Sequence, residues 1–126
     1  MEYLKNKLSN LGLEVYEDKA GENNKGTAGN VIGILKGNSS EQLMFSSHMD
    51  TVTPCENIEP IIEDGYIKTS GNTILGGDDK AGIAAIIEML EVIIENKLPH
   101  PEIVVIFSIA EEIGLVGAKE FDAEGF

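Results

Sequence analysis

The sequence contains one cysteine, Cys55, no tryptophan, and only 9 basic residues against 22 acidic ones. Each scarcity excludes something. A single cysteine makes an intrachain disulfide impossible and leaves nothing for a cysteine metal cluster, which fits a reducing, cytoplasmic setting. A formal charge of −13 repels phosphate backbones and anionic lipid. The lysines are scattered singly, so there is no basic face and nucleic acid is not an expected partner. No apolar run approaches the roughly 20 residues of a membrane helix. The stretch from Met1 to Leu8 lacks the uninterrupted apolar segment of a secretory signal. No repeat or linker divides the chain, and a soluble protein with no membrane partner is expected.

What is present is aliphatic. Leu4, Leu8 and Leu11 fall on one face of a helix that ends at Gly12. A short strand is predicted from Leu13 to Tyr16, then a polar loop from Asp18 to Gly29 with surface composition. Val31 to Leu35 and Leu43 to Ser47 read as two neighbouring strands joined by a turn at Gly37-Asn38-Ser39-Ser40. Ile58 to Ile62 and Tyr66 to Lys68 flank Asp64-Gly65 as a hairpin. From Asp79, the residues Ile83, Ile86, Ile87, Leu90, Ile93 and Ile94 recur at steps of three and four, the pattern of a long helix. After Pro99-His100-Pro101, the unbroken run Ile103 to Phe107 predicts a strand buried on both faces. Gly117 to Phe121 is placed to open a further helix. Helix followed by buried strand predicts an α/β chain with a partly parallel sheet.

Three clusters sit at the ends of these elements. His48-Met49-Asp50 follows an apolar strand, and residues two apart on an extended chain project to the same side, so imidazole and carboxylate can meet. A carboxylate on one ring nitrogen raises the basicity of the other, which suits a metal-ligating histidine. An isolated His-x-Asp is nonetheless more often a surface histidine with a chance neighbour. Gly76-Gly77-Asp78-Asp79-Lys80-Ala81-Gly82 opens the long helix. One aspartate can be the helix cap, but two adjacent like charges repel unless a cation or Lys80 compensates. Glu111-Glu112 lies where the buried strand ends. Functional groups gather at the carboxyl ends of strands in open α/β sheets, and adjacent glutamates can divide labour between metal and proton. A Glu-Glu pair alone is more commonly a solvated turn.

Taken in order, His48-Met49-Asp50-Thr51-Val52, the Gly-Gly-Asp-Asp-Lys-Ala-Gly segment and Ala110-Glu111-Glu112-Ile113-Gly114 resemble the N-terminal catalytic half of peptidase T-like enzymes. These are zinc aminopeptidases of the wider group that includes aminoacylases, succinyl-diaminopimelate desuccinylases and glutamate carboxypeptidases. The resemblance runs from about Leu8 to Phe121. It implies a three-layer zinc-exopeptidase-like α/β fold, with a mixed sheet between helices. It also implies that His48 ligates one zinc, Asp78 bridges two, Glu112 ligates the second, Asp50 orients His48, and Glu111 is the general base. The peptide bond Asp78-Asp79 is expected to be cis. Carboxylate and imidazole donors also accept manganese or cobalt.

The same resemblance places a further acidic ligand and a late histidine beyond Phe126. His100, between two prolines at the opposite end of its strand, reads as an exposed loop residue and not as that histidine. Cys55 is given no role. Residues 1–126 are thus expected to be a partial catalytic domain, lacking its later half and the inserted dimerisation domain through which the full-length protein would form a homodimer. The leading function is hydrolysis of the N-terminal peptide bond of a short peptide, favoured by the wording around Thr73-Ile74-Leu75-Gly76. A deacylase or dipeptidase acting on N-acyl amino acids or dipeptides is the second reading, and an inactive structural or interaction remnant is the third.

Overall fold

A computed structural model describes residues 1–124 and 126. In chain order it has helix α1 (Glu2–Asn10), strands β1 (Glu14–Glu17), β2 (Val31–Leu35), β3 (Gln42–His48), β4 (Pro60–Glu63) and β5 (Tyr66–Thr69), helix α2 (Gly77–Glu95), strand β6 (Glu102–Ser108) and helix α3 (Val116–Lys119). Four strands form one sheet in the order β1-β2-β6-β3, while β4 and β5 form a separate hairpin. β2 runs antiparallel to both β1 and β6, and β3 runs parallel to β6. The sheet is therefore mixed, as the α/β pattern predicts.

Apolar spacing decides which face each element buries. Leu4 and Leu8 of α1 and Ile83, Ile86, Ile87 and Leu90 of α2 pack on Val31, Ile103, Val105 and Phe107. Both helices therefore lie on one face of the sheet, and the ion pair between Lys7 and Glu91 ties them together. On the other face Ile32, Val104 and Ile106 meet Ile34, Phe121 and Phe126. Alternate residues of β6 serve the two cores, which is why its sequence is an apolar run without alternation. No helix among the described residues is long and apolar enough to cross a membrane.

The strands β2 and β3 are not the joined neighbours that their sequence spacing suggests. β6 lies between them, with Gly33 opposite Val105 on one side and Phe45 opposite Val105 on the other. A strand buried on both faces is best satisfied at the centre of the sheet, where both edges of its backbone are also paired. The segment joining β2 to β3 crosses the start of β6, where the Asn38 amide donates to the His100 carbonyl at 3.1 Å. A Cβ on Gly37 would stand 2.1 Å from the Pro101 carbonyl carbon, so only glycine lets the crossing pass so close.

The stretch from 18 to 29 is a largely exposed loop, as its composition predicts, but its ends are anchored. Ala20, Gly21 and Gly29 are buried, and a 3-10 turn occupies Glu22–Asn24. Asp18 draws the two ends of the loop together by accepting from the Ala20 and Asn30 amides at 3.0 and 2.7 Å. Asn30 itself is fully buried. Its amide nitrogen donates to Asp18 Oδ2 at 2.7 Å and to the Gly117 carbonyl at 2.9 Å, while its oxygen accepts from the Ile109 amide at 3.0 Å. One side chain thus joins the ends of β1 and β6 to α3, which is a single turn where a longer helix was in prospect.

Truncating Asn30 strands the Ile109 amide and the Gly117 carbonyl without partners in a dry interior. Asn30→Ala is expected to lower stability by about 2–4 kcal/mol, read from urea unfolding of the two proteins side by side.

Candidate metal centre

The parallel pair β3 and β6 ends at one edge, with His48 opposite Ser108. Residues beyond those ends come together there. The Met49 amide continues the ladder by donating to the Ser108 carbonyl at 2.8 Å, after which the chain turns through Asp50. After β6 the backbone turns at Ala110, whose φ of 53° lies in the left-handed region that few side chains adopt. That turn swings Glu111 and Glu112 back over the strand end. Their amides donate to the two oxygens of the Asp50 carboxylate at 3.0 and 3.1 Å. Burial would lift the Asp50 carboxyl, but these two amides, its own amide and the nearby imidazole outweigh burial and hold it below the usual carboxylate range. Asp50 is therefore a fixed anion that clamps the Glu-Glu segment.

His48 is buried, and its Nδ1 lies 2.9 Å from the Asp50 carbonyl oxygen. A carbonyl only accepts, so Nδ1 carries the proton. The Asp50 carboxylate is farther from the ring, at 3.4 Å, because its oxygens are engaged by the two glutamate amides. Asp50 thus meets the imidazole chiefly through its backbone. With Nδ1 protonated, the neutral ring turns the lone pair of Nε2 toward Asp78 Oδ1 at 3.1 Å and Glu111 Oε2 at 3.9 Å. A lone pair facing carboxylate oxygens repels them unless a second proton or a cation lies between. Burial lowers the His48 pKa, but the hydrogen bonds with Asp78 and the Asp50 carbonyl, with the charges of Asp50 and Glu111, outweigh it and hold the ring above its ordinary value.

The two aspartates at the start of α2 separate cleanly. The backbone at Asp78 and Asp79 is not yet helical, and the peptide bond between them is cis. Asp79 caps the helix that follows, its Oδ1 accepting from the Gly82 amide at 3.0 Å. Asp78 is left free of that duty, and its side chain is 85% exposed. Lys80 does not neutralise the pair; its Nζ donates to the Met49 carbonyl at 2.7 Å. One ligand atom each from His48, Asp78 and Glu112 lies within 4.8 Å of the others, the only such acidic or imidazole trio among the described residues. An imidazole lone pair with two carboxylates is a donor set that fits zinc, manganese or cobalt. Shallow hollows beside the trio are walled by Val52, Ile74, Leu75 and Ile113.

His100 is half-buried, not exposed as its loop position suggests, because its Nδ1 turns inward to the Pro101 carbonyl at 2.8 Å. It precedes β6 and so stands at the opposite end from Glu111. Cys55 is partly buried and belongs to neither hollow. Two participants escaped sequence reasoning: Ser47, whose hydroxyl donates to Asp79 Oδ2 at 2.7 Å, and Asn30, which holds both ends of the turn bearing the glutamates. Their only sequence signal is position, next to His48 and at the start of β2.

Residues 30–124 match the profile of Peptidase family M28, and the chain belongs to that family. Among individual proteins, the chain is similar to peptidase T. The chain is 53% identical to peptidase T of Salmonella arizonae over 69 residues, 55% of this chain and 17% of that protein. It is also 47% identical to the Bacillus subtilis protein YqjE over 120 residues, 94% of this chain and 32% of YqjE. Among solved structures, a tripeptidase from Staphylococcus aureus superposes with a TM-score of 0.94 at 44% identity, over all of this chain and 34% of its own. Aminopeptidase PepT from Bacillus cereus gives the same TM-score and identity over 99% of this chain and 34% of its own. The chain therefore spans about a third of the length of these two structures.

A cation at Nε2 must displace any proton held there. Zinc affinity is therefore expected to rise with pH while pH is below the raised His48 pKa, by about tenfold per unit, and to level off above it. Calorimetric titrations at several pH values in a non-chelating buffer check this, and an affinity that does not weaken as pH falls would place the metal away from His48.

Proposed function

We propose that the protein carrying this chain is a metal-dependent aminopeptidase that hydrolyses the N-terminal peptide bond of short peptides in the cytoplasm. The observation that carries the reading is Nε2 of His48 set 3.1 Å from the exposed carboxylate of Asp78, with Glu112 completing the trio. Likeness to a tripeptidase and to aminopeptidase PepT supports the choice of substrate.

In this reading His48, Asp78 and Glu112 hold the metal, most naturally zinc. Bound there, the metal supplies a Lewis acid that polarises the peptide carbonyl and makes water a nucleophile at neutral pH. Glu111, whose Oε2 stands 3.9 Å from Nε2 of His48 and whose side chain is 38% exposed, takes the proton from the attacking water and returns it to the leaving amine. Asp50 supports both partners, through its carbonyl on His48 and its carboxylate on the amides of Glu111 and Glu112. Asp78, whose carboxylate is largely exposed, would serve a second metal as well as the first. Three side chains are fewer than a pair of metals takes, so we assign the remaining acidic and histidine ligands, with the dimerisation domain of a homodimer, to parts of the protein outside residues 1–126.

The deciding assay compares a free tripeptide with its N-acetylated counterpart, with zinc, manganese or cobalt supplied. The free peptide is cleaved, the acetylated one is not, and a chelator abolishes the reaction. Glu111→Gln is expected to lower kcat by about 100- to 10,000-fold with metal content unchanged. Equal cleavage of both peptides would overturn the aminopeptidase assignment, and full activity in Glu111→Gln would overturn the role of the base.

A further inference from the structure

Ser47 and Asp79 flank the metal centre without belonging to it. Each is the chain neighbour of a proposed ligand, Ser47 of His48 and Asp79 of Asp78. The Ser47 hydroxyl is buried and shares its proton between Asp79 Oδ2 at 2.7 Å and the Asp79 carbonyl at 3.1 Å. The other carboxylate oxygen of Asp79 is taken by the Gly82 amide. A Cβ on Gly82 would lie 2.5–2.7 Å from the carboxylate atoms of Asp79, so the seat exists only because position 82 has no side chain. Asp79 is thus held by Ser47 and Gly82 together, and the contact with Ser47 joins the start of α2 to the end of β3. The bond between Ser47 and Asp79 bridges the same two elements, one residue along, as the approach of His48 to Asp78.

We infer that Ser47 and Asp79 form a positioning pair that sets the spacing of His48 and Asp78 for metal binding. This rests on the metal assignment proposed above and goes beyond it by naming residues that touch neither metal nor substrate. Hydrogen bonds that orient ligands from behind commonly govern affinity by about 10- to 100-fold. Asp79 therefore has a second task besides capping: its carboxylate keeps its own neighbour, Asp78, aimed at the imidazole. Without the hydroxyl, Asp79 remains a cap for α2, but its link to β3 is gone.

The test is zinc titration by calorimetry of the whole protein that carries this chain, with thermal melting of each metal-free protein in parallel. Ser47→Ala is expected to weaken zinc binding by about 10- to 100-fold while the metal-free chain still melts cooperatively, and Ser47→Thr, which keeps the hydroxyl, restores it. Gly82→Ala presses on the same carboxylate from the helix side and weakens binding likewise. Ser108→Ala removes a hydroxyl of similar burial, bonded to the Ser47 carbonyl at 3.5 Å, and leaves affinity unchanged. Unaltered affinity in Ser47→Ala, or an equal loss in Ser108→Ala, overturns the pair. Failure of the unchanged whole protein to bind zinc, or binding that survives Asp78→Ala, overturns instead the metal assignment on which the pair rests.

Discussion

The Asp50 carboxylate holds this arrangement together. It reaches from the end of β3 to the turn that follows β6, with each oxygen on a separate backbone amide. Charge-assisted bonds to two consecutive amides fix a turn more firmly than a single contact, because both the position and the rotation of the peptide units are set. Everything chemically interesting on the β6 side, Glu111 and Glu112, follows from that grip. On the β3 side the same residue receives the imidazole proton through its carbonyl. A short acidic residue two places after a histidine thus does more than turn a ring, because it closes the gap between two parallel strands at the point where their ladder stops.

Much of the fold was legible because periodicity and burial agreed. The spacing of Ile83, Ile86, Ile87 and Leu90 gave α2, and the unbroken run from Ile103 to Phe107 gave a strand with both faces covered. The order of strands was not legible. Local turn chemistry at Gly37-Asn38-Ser39-Ser40 speaks only for neighbours in sequence, whereas the place of β6 is set by pairing across a helix and more than fifty residues. Composition did not show how the ends of the loop before β2 are anchored, for a related reason. Polar residues such as Asp18 and Asn30 look like solvent-facing groups until the amides and carbonyls that they satisfy are known.

At the site, residue types pointed to the three clusters and to their order, and the structure gathers His48, Asp78 and Glu112 within ligand distance. What sequence left open was which aspartate caps and which is free. A cap needs an amide three residues on, and Gly82 supplies it to Asp79. That choice releases Asp78, and no feature of two adjacent identical residues announces it. The expected contact of His48 with the Asp50 carboxylate proved to be chiefly a contact with the carbonyl, since alternation along a strand predicts the side on which a group lies but not which of its oxygens is already spoken for.

The clamp between Asp50 and the glutamate amides spans 61 and 62 residues of chain. Contacts so distant in sequence carry the entropic cost of closing a long loop, and they are made only where β6 lies docked beside β3. The donor trio is therefore absent from every partly folded form in which that strand is still loose. Ligand geometry in this chain thus depends on the docking of β6, and any opening of that strand separates Glu112 from His48 and Asp78.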